Sequence, residues 1–189
     1  MQELIEKIVQ EGLVISEDII KVDSFLNHQI DPILMRKIGE EFAYRFKDER
    51  ITKILTIEAS GIAVALMTGL ALAVPVIFAK KTRATTMSEQ FYIGKIKSYT
   101  RQNEVIICVS KDYLSQEDRI LIIDDFLATG QATFGLLQII KEANATLVGI
   151  GTAVEKAFQE GGNLLRTQGI RVEALARISS LAAGNITFE

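Results

Sequence analysis

The 189 residues suffice for one domain of ordinary size and are too few for two comfortable ones. With 21 Lys and Arg against 24 Asp and Glu the formal charge is −3, which lacks the basic excess of a general nucleic-acid binder. Hydrophobic residues at 48%, charged residues at 24% and a single cysteine, Cys108, argue against disorder, an intrachain disulfide and a cysteine-based zinc site, and fit a globular protein of the reducing cytoplasm.

The opening residues MQELIEKIVQ set Glu3, Glu6 and Lys7 among apolar positions, the pattern of an amphipathic helix over 2–10 rather than of a signal peptide. Residues 12–30, with Gly12, Asp23, Ser24 and Asn27, read as irregular. Asp31-Pro32 starts a helix, Asp as N-cap and Pro at the first helical position. Ile33, Leu34, Ile38, Phe42 and Phe46 continue it at helical spacing to about Lys47. ITKILTIEA is a strand. The uncharged stretch from Ala59 to Ala79 is long enough for a membrane span, yet Ser60, Gly61, Thr68, Gly69 and Pro75 interrupt it. It reads as a buried helix over 61–73 followed by the strand VPVIFAK. Residues 81–103 are polar, then EVIICVS and RILIIDD are strands. ATFGLLQIIKEA is a helix, ATLVGIGTAVE a strand, 157–168 a helix and IRVEALARI a last strand. Strands that are continuous apolar runs, alternating with helices, predict an α/β fold with a parallel-centred sheet flanked by helices. Ligands belong at the carboxyl ends of its strands.

The chemistry concentrates in Arg119–Thr133, RILIIDDFLATGQAT. A buried strand brings Asp124 and Asp125 to its C-terminal end, and the small residues Ala128-Thr129-Gly130 turn into a helix beginning near Ala132. Backbone amides at such a turn and the positive end of the helix suit an anion such as phosphate. Carboxylates do not bind phosphate, so the two acids serve another part of the same ligand, sugar hydroxyls or a metal ion. The bland alternative is a strand that ends in a solvated acidic turn.

This window resembles the phosphoribosyl-diphosphate (PRPP) motif of the type I phosphoribosyltransferases: four apolar residues, two acids, two apolar residues and a Thr-Gly turn. The resemblance implies that Asp124 and Asp125 clamp the ribose hydroxyls during catalysis. It further implies that Ala128, Thr129, Gly130, Gln131 and Ala132 cradle the 5′-phosphate. Ala132 departs from the Ser or Thr of many relatives, which leaves the loop to its amides, Thr129 and Thr133. Glu58-Ala59-Ser60-Gly61, between a strand and a helix, matches the family's diphosphate turn, with Ser60 and Gly61 as contacts. A plain strand–helix turn would look the same. The polar excursion 81–103 is too long for filler and corresponds to a lid or β-ribbon that closes over PRPP. The resemblance implies that Lys80, Lys81 and Arg83 at its start neutralise the leaving diphosphate; a solvated basic loop is the other reading.

Lys156, in VEKAF, lies at a strand end. Type I enzymes acting on 6-oxopurines place such a lysine against the base O6, where an ammonium favours a carbonyl over an amino group. The resemblance thus implies an oxopurine, and a surface lysine is the other reading. Over essentially the whole chain, the segment LVISEDIIKVDSFLNHQIDP, the loop IIDDFLATGQA and VEKAF are similar to the bacterial xanthine phosphoribosyltransferases. That resemblance implies one domain over 1–189, with residues 1–30 contributing a small hood over the base. Ile20, Asn27 and Lys156 then line the xanthine site, His28 packs in the hood and Phe158 lies against the base or in the core. Mg²⁺ is expected as a complex with PRPP, with no protein metal cage. A homodimer is expected, with no nucleic acid or membrane partner. Two other readings stay open. One is a different 6-oxopurine enzyme, for hypoxanthine or guanine; the other is a PRPP-sensing purine regulator of the same fold. The regulator is disfavoured by a short, non-basic segment before the first strand and by Lys156.

Overall fold

The computed structural model describes residues 1–82, 90–97 and 104–189. In chain order the elements are α1 (Gln2–Glu11), the hairpin β1 (Leu13–Ser16) and β2 (Ile19–Lys21), one turn of π-helix (Asp23–Asn27), α2 (Pro32–Arg45), β3 (Lys53–Ile57), α3 (Gly61–Leu72) and β4 (Val76–Thr82). There follow β5 (Phe91–Lys97), β6 (Glu104–Ser110), β7 (Arg119–Leu127), α4 (Gln131–Glu142), β8 (Thr146–Lys156), α5 (Glu160–Thr167), β9 (Val172–Ser180) and the short β10 (Thr187–Phe188).

Eight strands form one sheet in the order β10-β9-β8-β7-β3-β4-β6-β5. The central five, β9, β8, β7, β3 and β4, run parallel, while β6, β5 and β10 are antiparallel additions at the two sides. The apolar runs have the expected cause. β7 buries Ile120, Leu121, Ile122 and Ile123 completely, because helices cover both faces of the sheet. On one face Ile54, Leu121 and Ile123 pack with α1, α2, α3 and the N-terminal segment through Ile8, Phe42 and Val64. On the other, Leu55, Ile120 and Ile122 meet Leu136 and Ile139 of α4 and Leu165 of α5. Each fully buried Leu or Ile contributes about 1.5–3 kcal/mol, so this two-sided burial is what fixes the sheet.

The helix start at Asp31-Pro32 is as expected. The Asp31 carboxylate accepts from the amides of Ile33 and Leu34, both at 3.0 Å. Ile33 itself, however, faces out with 58% of its surface exposed, so the buried stripe of α2 begins at Leu34. The uncharged stretch from 59 to 79 splits into α3 and β4, and among the described residues no helix is long and apolar enough to cross a membrane.

One segment differs from the expectation and a second takes one of its two expected forms. Residues 12–30 are not irregular. β1 and β2 pair Leu13 with Lys21 and Val14 with Ile20, and the π turn follows. The hairpin escapes a periodicity reading because Leu13, Ile15 and Ile19 point outward, while Ile20, Val22, Phe25 and Leu26 carry the burial. Within the polar excursion, FYIGKIK forms β5, which pairs antiparallel with β6 from Phe91↔Ser110 to Lys97↔Glu104. Of the two expected forms, a lid or a β-ribbon, the described residues show the ribbon; residues 83–89, Arg83 among them, and 98–103 lie outside the described residues.

Candidate functional site

The carboxyl ends of β3 and β7 open onto a cavity of about 420 Å³. Its lining includes Glu58, Ala59, Ser60 and Lys81 from one side, Asp124 and Asp125 from the centre, and Ala132 at the start of α4. The cavity therefore brings together the acid pair, Ser60 just before α3, one basic residue of β4 and Ala132 of the 128–132 turn; Gly61, Ala128, Thr129, Gly130 and Gln131 are not among its lining residues. A helix start leaves several backbone amides without intrahelical partners, and here two helix starts border one cavity.

Asp124 and Asp125 are nearly enclosed, at 5% and 7% exposure. They lie inside β7 rather than past its end: Asp124 pairs with Thr152, and the strand continues to Leu127. The Asp125 amide donates to Asp124 Oδ1 at 3.0 Å. Burial pushes the Asp124 carboxyl well above the usual carboxylate range, the neighbouring Asp125 charge adds to this, and Lys81 opposes it weakly. Such a pair is set to accept hydrogen bonds from hydroxyl groups or to share a cation.

After Leu127 the chain turns through Ala128 and Thr129, and Gly130 takes the left-handed φ of +80° before α4 begins at Gln131. A glycine of α5, which the sequence reading missed, underlies this loop. The Gly161 amide donates to the Ala128 carbonyl at 3.1 Å. A Cβ on Gly161 would sit 2.4 Å from that oxygen and 2.5 Å from the Gly130 nitrogen, so only glycine admits this approach. The opposite turn is stitched to the sheet as well. The Glu58 carboxylate accepts from the Lys81 amide at 2.6 Å, Glu58 N–H donates to the Ala79 carbonyl at 3.2 Å, and the Glu58–Ala59 peptide is cis.

Lys156 ends β8. Its ammonium donates to the Asp18 carbonyl, in the turn between β1 and β2, at 2.7 Å and stands 5.8 Å from the centre of the Phe126 ring. Burial lowers its pKa, and the Asp18 charge partly restores it. The N-terminal hairpin thus reaches the strand end that carries Lys156. Ile20 is buried in the core below that hairpin, and Asn27 is exposed at the end of the π turn. His28 is exposed rather than packed, its amide tied to the Asp23 carbonyl at 3.2 Å. Phe158 is 37% exposed and lines a separate cavity of about 240 Å³ with Glu17 and Asp18, so it is not a core aromatic. Lys80 is exposed and stacks on Phe78, 5.8 Å from the ring centre, while Lys81 alone of the two lines the main cavity.

Sequence reasoning also missed Glu155. It is 1% exposed and bound by both nitrogens of the Arg166 fork at 2.6 and 2.7 Å and by Arg177 Nε at 3.1 Å. A glutamate inside an otherwise apolar strand was the available signal, since a charge is buried there only with partners. Among the described residues no three His, Cys, Asp or Glu side chains converge as a metal site.

Comparison with known proteins agrees with this geometry. A xanthine phosphoribosyltransferase of Moorella thermoacetica is 63% identical over 183 residues, covering 97% of this chain and 93% of its own. One from Acinetobacter baylyi is 55% identical over 188 residues, covering 100% and 98%. Among solved structures, an adenine phosphoribosyltransferase from Rhodothermus marinus superposes with a TM-score of 0.76 at 20% identity, over 94% of this chain and all of that one, a likeness of fold alone. Residues 22–161 match the phosphoribosyl transferase domain, and on these matches the chain belongs to the phosphoribosyltransferase family.

Proposed function

We propose that this chain is a xanthine phosphoribosyltransferase, which joins xanthine to the ribose of PRPP to give xanthosine 5′-monophosphate and diphosphate in purine salvage. One observation carries the donor half. The acid pair and Ala132, the last residue of the turn that follows the same strand, line one cavity, an arrangement that suits a single sugar phosphate. The acceptor half is supported by the names of the relatives and by an ammonium at the end of β8 that suits a carbonyl oxygen.

The roles follow from the chemistry each group offers. Asp124 and Asp125 accept from the ribose 2′- and 3′-hydroxyls. Ala128, Thr129, Gly130, Gln131 and Ala132 hold the 5′-phosphate through amides and the Thr129 hydroxyl. Ser60, Gly61 and Lys81 hold the diphosphate. Lys156 donates to the purine 6-oxo group, while Ile20 and Asn27 complete the base site from the hood formed by residues 1–30, within one domain over 1–189. The bond from ribose C1′ to diphosphate breaks as a ring nitrogen of the base bonds to C1′ and the base gives up a proton. The protein's contribution is to align the two substrates and to stabilise the charge that develops on the ribose. Two carboxylates are too few oxygen donors for a protein-only Mg²⁺ site. The ion therefore enters on the diphosphate of PRPP, as part of the substrate.

A homodimer in the cytoplasm completes the reading. It is supported by the uncharged α3, which leaves Leu66 and Leu70 53% and 71% exposed, a surface suited to a second copy. The test of function is turnover of PRPP with xanthine, guanine, hypoxanthine and adenine by the purified protein. Xanthine is expected to give the highest kcat/KM and adenine none. Equal or better use of hypoxanthine or guanine would move the chain to a different oxopurine, and inert PRPP would end the reading.

A further inference from the structure

One polar group beside the acid pair has no role in the reading above. Thr56, on β3, is fully buried, and its hydroxyl finds no hydrogen-bond partner. An enclosed hydroxyl without a partner is costly and uncommon. Its position says what it is near. A Cβ placed on Gly61 would meet Thr56 Oγ1 at 2.4 Å and Asp124 Oδ1 at 2.5 Å, so the two oxygens share the space above the Gly61 Cα, within about 5 Å of each other. Gly61 is glycine for this reason. A side chain there would displace both the hydroxyl and the carboxylate.

We infer that Thr56 is a positioning residue of the donor site, whose hydroxyl donates to the Asp124 carboxylate once PRPP is bound. The inference rests on the proposed reading of Asp124 as a ribose-binding carboxylate. A carboxylate has about four acceptor positions. Asp124 Oδ1 already takes the Asp125 amide, and ribose hydroxyls approach from the cavity. Thr56 is not among the residues that line the cavity, and its hydroxyl stands near the carboxylate over the Gly61 Cα, where a donated hydrogen bond would hold the carboxylate and favour its ionised, acceptor-only form. In the free protein the hydroxyl has no partner, and burial with the Asp125 charge disfavours the ionised Asp124 that would be its stronger acceptor. A valine of the same shape would fill the space equally well in the empty protein and fail only in the complex.

The experiment compares wild type, Thr56→Val and Thr56→Ser by PRPP titration calorimetry with Mg²⁺, alongside melting temperatures without ligand. Wild-type binding of PRPP tests the functional reading itself; if it is absent, that reading fails and the variants are not needed to show it. Given wild-type binding, the expected result is a PRPP Kd about tenfold higher for Thr56→Val, on the scale of one hydrogen bond to a charged group. Thr56→Ser should stay within about twofold of wild type, and Thr56→Val should melt no lower than wild type. An unchanged Kd in Thr56→Val overturns the inference. So does an equal loss in Thr56→Ser, or a fall in melting temperature together with affinity, because a hydroxyl that supports the empty fold must have a partner there.

Discussion

Two buried acidic sites lie about thirty residues apart in this chain and are handled in opposite ways. Glu155 is enclosed with its charge answered. Burial alone would raise its pKa, but Arg166 and then Arg177 reverse this and hold the carboxyl below the usual range. Asp124 is enclosed with its charge unanswered. It has one backbone amide and a second carboxylate beside it, and among the described residues no ion pair joins either aspartate. The first arrangement keeps β8, α5 and β9 together. The second leaves a carboxyl at the cavity with no cationic side chain bound to it among the described residues, an arrangement that suits the proposed ribose-binding role. On the proposed function, what separates the structural from the ligand-binding carboxylate is whether the chain supplies the partner.

The comparison can be broken at three points, in decreasing order of expected effect. Asp124→Asn with Asp125→Asn should lower PRPP turnover by about three orders of magnitude, the scale of removing preorganised transition-state partners, while circular dichroism stays that of the wild type. Lys156→Ala, one residue beyond Glu155, should lower kcat/KM with xanthine about 100-fold, as expected for a charge-assisted hydrogen bond lost from a dry site. Steady-state kinetics measure both. Glu155→Gln should change activity least and stability most, by about 2 kcal/mol in urea unfolding. That is below the cost for a wholly enclosed pair, because Arg166 and Arg177 keep 31% and 38% of their side-chain surface in water.

The pH dependence of that last variant follows from the sign of the shift. A carboxyl whose folded pKa is depressed adds stability above its unfolded pKa and loses it as pH falls through the lowered folded value. The deficit of Glu155→Gln should therefore be full at neutral pH and shrink in acid. Asp124 has the opposite sign. Its raised pKa adds stability only at low pH, and this is lost as pH rises through the folded value, so at neutrality the carboxylate burdens the empty fold.

The sheet was legible in the sequence because two-sided burial leaves continuous apolar runs such as RILII, and the turn after β7 because two acids before a Thr-Gly pair form a local pattern. What could not be read depends on contacts distant in sequence. Gly161 looks like any helix glycine until α5 is laid against Ala128 and Gly130. Arg166 and Arg177 look like surface residues until β8 places Glu155 between them. Thr56 is one threonine in a strand until Gly61 brings it beside Asp124. The hairpin β1–β2 was missed for a different reason: its outward apolar residues carry no burial signal, so the pattern of a half-buried strand is absent.

The most direct test of the central claim, that the acid pair is held at the expense of the empty fold for the sake of PRPP, is the melting temperature of Asp124→Asn at neutral pH with and without PRPP and Mg²⁺. The ligand-free variant should melt above ligand-free wild type, and PRPP should raise the melting temperature of the wild type but leave that of the variant nearly unmoved. A variant that melts below wild type, or that PRPP stabilises as much as it does the wild type, would contradict it.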